Sequence, residues 1–351
     1  ARIMLRLIFR RVLRIRNNIY YRKKMKTEPL ISIISIFYNS AEYVRKNVDS
    51  IRSQKNVNLE IILVDDCSSD NTRSILKEYA SIDSRIKLIF HDENKGISEA
   101  RNSGIKAATG DCFYFIDGDD FLTHSRSLAT LARHWTVDMD WVAGSYEVVD
   151  ENGRIVRKIL LHEGCYRSKE AIRKHFGDLD FIYIHNRLIN ARFKDVLFPA
   201  RTIHEDRFWN VAAYPRLSSV LQLKDVTYSY FARTSSFSST TRFNEKFIDD
   251  AQRLLEQMTQ LDAYWMETAR GFTVSLIKAL YLGNSPVERR SAFLAFVRDH
   301  NLYYAGKNVR GGVPRITKTI YWMTAHGVPD SIIKSIAWLY KWGSSKINRP
   351  I

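Results

Sequence analysis

The run Phe113-Tyr114-Phe115-Ile116-Asp117-Gly118-Asp119-Asp120 passes from four apolar side chains to three carboxylates around one glycine. Buried parallel strands are near-continuous apolar runs, and open α/β sheets collect ligands at the carboxyl ends of such strands. The run therefore reads as a buried strand that opens onto a polar sheet edge. Carboxylates this close repel one another unless a cation sits among them. A hard divalent cation that keeps some of its waters and shares substrate phosphates fits that need. The plainer alternative is a solvated acidic turn, because Asp-Gly is good turn chemistry.

Upstream, the pattern strand, turn, helix repeats from Pro29. Leu30–Phe37 is a β-branched run and predicts a buried strand. Ser40 stands where a helix N-cap belongs, before the apolar stripe Val44, Val48, Ile51. Leu59–Val64 is the next strand and ends in Asp65-Asp66-Cys67-Ser68-Ser69-Asp70. A helix with Ile75, Leu76 and Tyr79 inside leads to a strand over Ile86–Phe90, and Ser98–Ala108 is the next helix. Strands separated by helices of this length imply right-handed crossovers and a parallel sheet. Three strand ends then deliver Tyr38/Asn39, Asp65/Asp66 and Asp117/Asp119/Asp120 to one edge. The loop after the first strand has no glycine, which excludes a G-x-G-x-x-G dinucleotide turn and a phosphate-cradling P-loop.

Downstream, a helix near Ser125–Trp135 is followed by strand-like Trp141–Val149, a turn at Glu151-Asn152-Gly153 and a second strand within Arg154–His162. Phe181–Ile189, a turn at Phe198-Pro199-Ala200, and a helix beginning near His204-Glu205-Asp206 come next, with strands near Ser219–Leu223 and Val226–Phe231. Thr234–Thr241 is Ser/Thr-rich and reads as a lid or linker. From Phe243 the periodicity is helical, broken at Gly311-Gly312-Val313-Pro314 and again at Gly327-Val328-Pro329.

The formal net charge is +16, and residues 1–26 carry ten Lys/Arg with no Asp or Glu, which leaves +6 for the rest. Leu5, Ile8, Val12, Ile15 and Ile19 recur at helical spacing opposite Arg2, Arg6, Arg10 and Arg14, so this arm reads as a basic amphipathic helix. An anionic membrane surface, a partner helix or the rest of the chain are its alternative contacts. Cys67, Cys112 and Cys165 show no metal spacing, which fits reduced thiols in a cytosolic setting. No apolar run reaches the ~18 residues of a membrane span. The segment Arg315–Trp342, with Trp322, Trp338, Tyr340 and Trp342, also suits a membrane interface or, equally, a helix-packing or oligomer contact.

Four stretches carry a resemblance when taken together: ISIISIFYNSAEYV from Ile31, IILVDDCSSDNT from Ile61, NKGISEARNSGI from Asn94 and ATGDCFYFIDGDDFL from Ala108. In this order and spacing they resemble the N-terminal half of a family-2-type glycosyltransferase of GT-A fold, of the bacterial kind that builds surface polysaccharides. The likeness continues more loosely through IHNRLINARF and FPARTIHEDRFWN to about residue 240. It implies an α/β fold with a mostly parallel nucleotide-binding sheet, divided as an amphipathic helix over 1–28, a transferase domain over 29–240 and a helical C-terminal region over 241–351. Cys67 stands where the family commonly has glycine, and a turn with positive φ disfavours it.

The resemblance also implies roles. Asp66 would hydrogen-bond the nucleotide base with Asp65 beside it, Tyr38 and Asn39 would line that pocket, and Arg101 would reach the base or close over Asp66. Asp117 and Asp119 would hold Mn2+ or Mg2+, Asp119 most directly. Asp206 would be the general base, with Glu205 supporting it or touching the acceptor; plain helix capping is the alternative for both. Arg187, Arg233, Ser236 and Ser238 are candidates for diphosphate contact or for the surface, and His185 and His204 for places near the site or in the core. The expected activity is metal-dependent, inverting transfer from a UDP-sugar to a glycan or lipid-linked acceptor, on the inner face of the cell membrane. Two rival classes are a basic nucleic-acid-binding protein and a catalytically silent scaffold. The positive charge lies away from the acidic edge, which disfavours the first, and the intact carboxylate set disfavours the second.

Overall fold

The computed structural model describes residues 28–175, 183–232, 245–261 and 286–300, with isolated positions between 265 and 333. β1 (Leu30–Phe37), β2 (Asn58–Asp65), β3 (Ile86–Phe90) and β4 (Cys112–Asp117) lie in the order β3-β2-β1-β4. All three pairings are parallel. The register sets Phe37 beside Asp65, Asp65 beside Phe90 and Ile36 beside Asp117, so the strands end level with one another. The crossover helices are α1 (Ala41–Arg52), α2 (Thr72–Ile82) and α3 (Ile97–Ala107). Their buried stripes, Val44, Val48 and Ile51 on α1 and Leu76 and Tyr79 on α2, join Ile31, Ile33, Ile61 and Leu63 in one core. Ser40 is the N-cap of α1, yet its side chain makes no cap hydrogen bond. Asp70, from the loop after β2, instead accepts the first helical N–H, that of Ala41, at 3.0 Å.

From β4 the sheet continues through β9 (Arg187–Asn190), β6 (Trp141–Val149), β10 (Val220–Phe231) and β5 (Phe121–Leu122), in that order. β9 is antiparallel to both β4 and β6, which returns β6 to the common direction. β6 also forms a hairpin with β7 (Ile155–Ile159) around the turn expected at Glu151-Asn152-Gly153. The two strands expected near Ser219–Leu223 and Val226–Phe231 are one strand, β10 (Val220–Phe231), with register shifts between Gln222, Val226 and Tyr228. Exposed Lys224 and Asp225 look like a turn in the sequence, but a bulge absorbs them while the ladder continues. The short elements β5 (Phe121–Leu122), β8 (Gly164–Tyr166) and α5 (Lys169–Lys174) have too few residues to show a period. α4 (Ser127–Ala132) is the helix expected near Ser125–Trp135.

The chain divides into two compact units. The first contains the described residues up to Arg201 and from Ala212 to 232, and so holds the whole sheet. The second contains Thr202–Val211 and the described residues from 245 onward. α6 (Glu205–Ala213) begins in it, and α7 (Glu245–Thr259) and α8 (Val287–Asp299) belong to it. α7 buries Ile248, Ala251, Leu254, Leu255 and Met258, a stripe at helical spacing. No helix among the described residues is long and apolar enough to cross a membrane. The basic arm 1–26, the Thr234–Thr241 stretch, and the tryptophans of Arg315–Trp342 lie outside the described residues.

Candidate active site

The carboxyl ends of β1, β2 and β4 meet as the sequence predicts, and their loops brace one another. Asn39 donates its N–H to Ser68 Oγ at 2.9 Å, and its Oδ1 accepts the Ser69 N–H at 2.8 Å. Asn39 and Cys67 both adopt left-handed φ, 47° and 64°. The Cys67 value fits the family's preference for glycine there; Cys67 sustains the conformation with its Sγ directed at the Asp92 carbonyl, 3.4 Å away. Tyr38 is half exposed, leaving a ring face open to a ligand.

Asp65 is fully buried. Its Oδ2 accepts from Arg73 Nε at 2.9 Å, while Oδ1 has no hydrogen-bond partner. Asp66 is also buried and holds the start of α3. Lys95 N donates to its Oδ1 at 2.9 Å and Gly96 N to its Oδ2 at 2.8 Å. Gly96 has φ 87°, a conformation other residues resist. His91 Nδ1 lies 2.6 Å from Asp66 Oδ1, and His91 Nε2 lies 2.9 Å from Ser103 Oγ. A carboxylate offers about four lone-pair directions. Three are engaged here, so one is left for a ligand donor. The sequence reading missed His91; its only signal was its place one residue beyond β3, level with the other strand ends.

Arg101 is buried on α3, and the structure places its guanidinium on Asp117, with NH2 3.0 Å from Oδ1, and not on Asp66. It also lies 5.2 Å from the ring centroid of Phe198 and 5.9 Å from that of Phe115. Packing against the β4 side directs it there. Asp119 is half-buried in the turn after β4. Gly118 between the two is a steric requirement: a Cβ there would lie 2.5 Å from the Ile36 carbonyl oxygen and 2.7 Å from Phe37 Cδ1.

The third carboxylate, Asp120, is turned inward. Its Oδ2 accepts the Tyr228 hydroxyl at 2.5 Å and its Oδ1 the Phe231 N–H at 2.7 Å. Burial, then the charges of Asp119 and Asp117, push its pKa well above the ordinary carboxylate value. Asn47 of α1 donates to the carbonyls of Asp117 and Asp120, 2.9 Å each, and its own Oδ1 accepts from Ser35 Oγ at 3.0 Å. Asp117 and Asp119 remain as hard oxygen donors. Among the described residues no group of three or more His, Cys, Asp or Glu gathers to hold a metal ion. A two-carboxylate donor set suits a cation of the Mg2+ type, which completes its shell with phosphate and water.

His185 forms no part of that set. It is buried and stacks on Tyr228, centroids 4.6 Å apart and planes 8° apart. Arg187 is buried with its guanidinium 4.7 Å from the Trp141 ring centroid, a packing role. Arg233, Ser236 and Ser238 lie outside the described residues.

In the second unit, Glu205 and Asp206 occupy the first turn of α6, both half-buried. Asp250 of α7 accepts the Ile203 N–H at 2.9 Å and so fixes the entry to that turn. His204, at φ 67°, lies edge-on between Phe247 and Phe272. Burial, then the Arg207 charge, lowers its pKa to about 4, so the ring is neutral at pH 7.

Against known proteins, residues 32–197 match the family model Glycosyl transferase family 2. Residues 32–197 are a family 2 glycosyltransferase domain. This domain includes every strand-end carboxylate described above. A putative teichuronic acid biosynthesis glycosyltransferase, TuaG of Bacillus subtilis, is 42% identical over 93 residues, 26% of this chain and 37% of the relative. The Escherichia coli UDP-Glc:alpha-D-GlcNAc-diphosphoundecaprenol beta-1,3-glucosyltransferase WfgD is 34% identical over 131 residues, 37% of this chain and 51% of the relative. The chain thus spans less than two thirds of the length of either. Among solved structures, S. aureus TarS 1-349 in complex with UDP-GlcNAc superposes with a TM-score of 0.65 at 18% identity, covering 89% of this chain and 92% of that one. That likeness establishes a GT-A-type fold.

Proposed function

We propose that this chain is a metal-dependent, inverting glycosyltransferase. It moves a sugar from a nucleotide-sugar, a UDP-sugar by preference, to a hydroxyl of a glycan or lipid-linked acceptor in bacterial surface polysaccharide synthesis. The observation that carries the reading is the level ending of β2 and β4 in Asp65/Asp66 and Asp117/Asp119, inside a family 2 domain. The UDP-GlcNAc complex of a protein with the same fold supports the donor class, and the printed substrate of WfgD supports a lipid-linked acceptor.

In this reading Tyr38 stacks near the base, Asn39 shapes the pocket, and Asp66 uses its remaining acceptor direction for a base N–H with Asp65 beside it. Asp117 and Asp119 would hold Mn2+ or Mg2+, and the cation would supply stabilisation of the negative charge on the departing diphosphate. Arg101 orients Asp117 for that task. Asp206 takes the proton from the acceptor hydroxyl, with Glu205 supporting it or touching the acceptor. The acceptor oxygen bonds to the anomeric carbon as the carbon–phosphate oxygen bond breaks on the opposite face, and its electron pair leaves with the nucleoside diphosphate. Asp206 stands in the first turn of α6, where the N-terminal dipole attracts negative charge. Residues 29–240 form the transferase domain, and the chain ends, 1–28 and 241–351, contribute acceptor, membrane or oligomer contacts on the inner membrane face.

The test is a donor screen with the purified chain, reading UDP release with and without Mn2+ alongside thermal shifts. A UDP-sugar with Mn2+ should raise Tm more than an oligonucleotide does. A larger shift with the oligonucleotide, and no nucleotide release from any donor, would overturn the reading in favour of nucleic-acid binding. Flotation with anionic liposomes, full chain against a chain lacking residues 1–26, tests the membrane contact; equal flotation of both removes the arm from it.

A further inference from the structure

We infer that Tyr228 is a positioning residue for the cation-binding turn, acting through Asp120. The inference rests on Asp117 and Asp119 holding the divalent cation. Both oxygens of Asp120 are taken by β10, from the Tyr228 hydroxyl and the Phe231 N–H. The same phenol oxygen accepts the Asp117 N–H at 3.4 Å, so one hydroxyl touches both ends of the turn that carries Gly118 and Asp119. From the opposite side the Asn47 amide grips the carbonyls of the same two residues, Asp117 and Asp120. His185 lies parallel on the Tyr228 ring and fixes its plane.

Two consequences follow for the turn. Asp119 sits between residues anchored on both faces, so its carboxylate does not pay for ordering when the cation arrives. Asp120, held to a buried phenol, does not swing out to add a third carboxylate. The site therefore presents two anionic ligands and leaves the remaining coordination positions to diphosphate and water. A third ligand would neutralise the cation further and crowd the diphosphate.

The experiment is UDP binding by calorimetry to the full chain across a Mn2+ titration, for wild type, Tyr228→Phe and Asp120→Asn. Partners of this kind behind a metal ligand are worth 10–100-fold in metal affinity as a rule, so Tyr228→Phe should raise the Mn2+ concentration for half-maximal UDP binding about tenfold or more. Metal-free UDP affinity should stay near wild type, and the thermal midpoint should fall only modestly, as expected for one buried acceptor left without its donor. Asp120→Asn keeps an acceptor oxygen for the hydroxyl but sets its amide NH2 against the Phe231 N–H, so it should raise the Mn2+ requirement too, in the same direction as Tyr228→Phe; an Asp120→Asn requirement within about twofold of wild type would also overturn the inference. A Tyr228→Phe requirement within about twofold of wild type would overturn the inference. So would an equal loss of metal-free UDP affinity with a large fall in thermal midpoint, which assigns Tyr228 to folding alone. Wild-type UDP binding that ignores Mn2+ is a different result and refutes the cation reading itself.

Discussion

Replacing Gly118 by alanine tests the site with a single carbon atom. The new Cβ would lie 2.5 Å from the Ile36 carbonyl oxygen, where 3.0 Å is a distance real Cβ atoms essentially never undercut. The obstacle is backbone of β1 in the centre of the sheet, so the turn itself must retreat by about half an ångström or more, and overpacking of this kind costs about 1–3 kcal/mol. For a unit of this size that corresponds to a Tm lower by about 2–12 °C. The displaced atoms lie between Asp117 and Asp119, and a misplacement approaching 1 Å costs on the order of 10²-fold in rate. Gly118→Ala should therefore remain folded below its lowered Tm and lose UDP-sugar turnover about 100-fold at saturating Mn2+, measured as UDP release well below that Tm. Full turnover together with an unchanged Tm would show that β1 yields freely, and the close approach would then have no bearing on the site.

Asp119→Ala removes one of the two carboxylates proposed to hold the cation and should leave less than about a tenth of turnover, a barrier increase above roughly 1.4 kcal/mol, with weakened Mn2+-dependent UDP binding. Asp206→Asn should keep donor affinity while transfer falls on the order of 10²-fold; equal loss of both would make Asp206 a binding or folding residue. The pH dependence of stability should carry a His204 component. Its folded pKa of about 4 lies below the ordinary 6.5, through burial and then Arg207, with Asp250 opposing. The neutral ring thus stabilises the fold above about pH 6.5, and this contribution, on the order of 2–3 kcal/mol, is lost as pH falls towards 4. His204→Asn, which tolerates the left-handed φ, should flatten urea midpoints between pH 7 and 4.5; identical profiles for both proteins would refute the assignment.

The sequence made the parallel half legible because β1, β2 and β4 are buried on both faces and α1 and α2 each show one apolar stripe. Hydrophobic period alone marks such elements. The strand-end carboxylates were legible for the same reason: an apolar run stops and charge begins. What stayed hidden depends on partners distant in the chain. His91 joins Asp66 from 25 residues away, and Tyr228 joins Asp120 from 108 away. Neither has a neighbourhood that distinguishes it from a strand-end histidine or a core tyrosine. Arg101 was legible as a candidate but its partner in the fold was not, because the packing of α3 sets the guanidinium on Asp117. β10 was divided in two because Lys224-Asp225 carries turn chemistry that only the neighbouring ladder overrides.

The helix α1 is finished by a residue that follows it by a whole strand. Asp70 receives the Ala41 N–H, Thr72 Oγ1 the Ser40 N–H at 2.8 Å, and Ser68 Oγ the Asn39 N–H, across separations of 29, 32 and 29 residues. None of these bonds can form while β1 and β2 are apart. The first turn of α1 therefore cannot mature during local helix formation and must wait for strand pairing. In the folded protein the three amides share one fate. If the loop after β2 lifts, all are exposed together, and native-state hydrogen exchange should report Asn39, Ser40 and Ala41 opening with a single free energy. The carboxyl end of the sheet should therefore behave as one cooperative patch, assembled late and released whole.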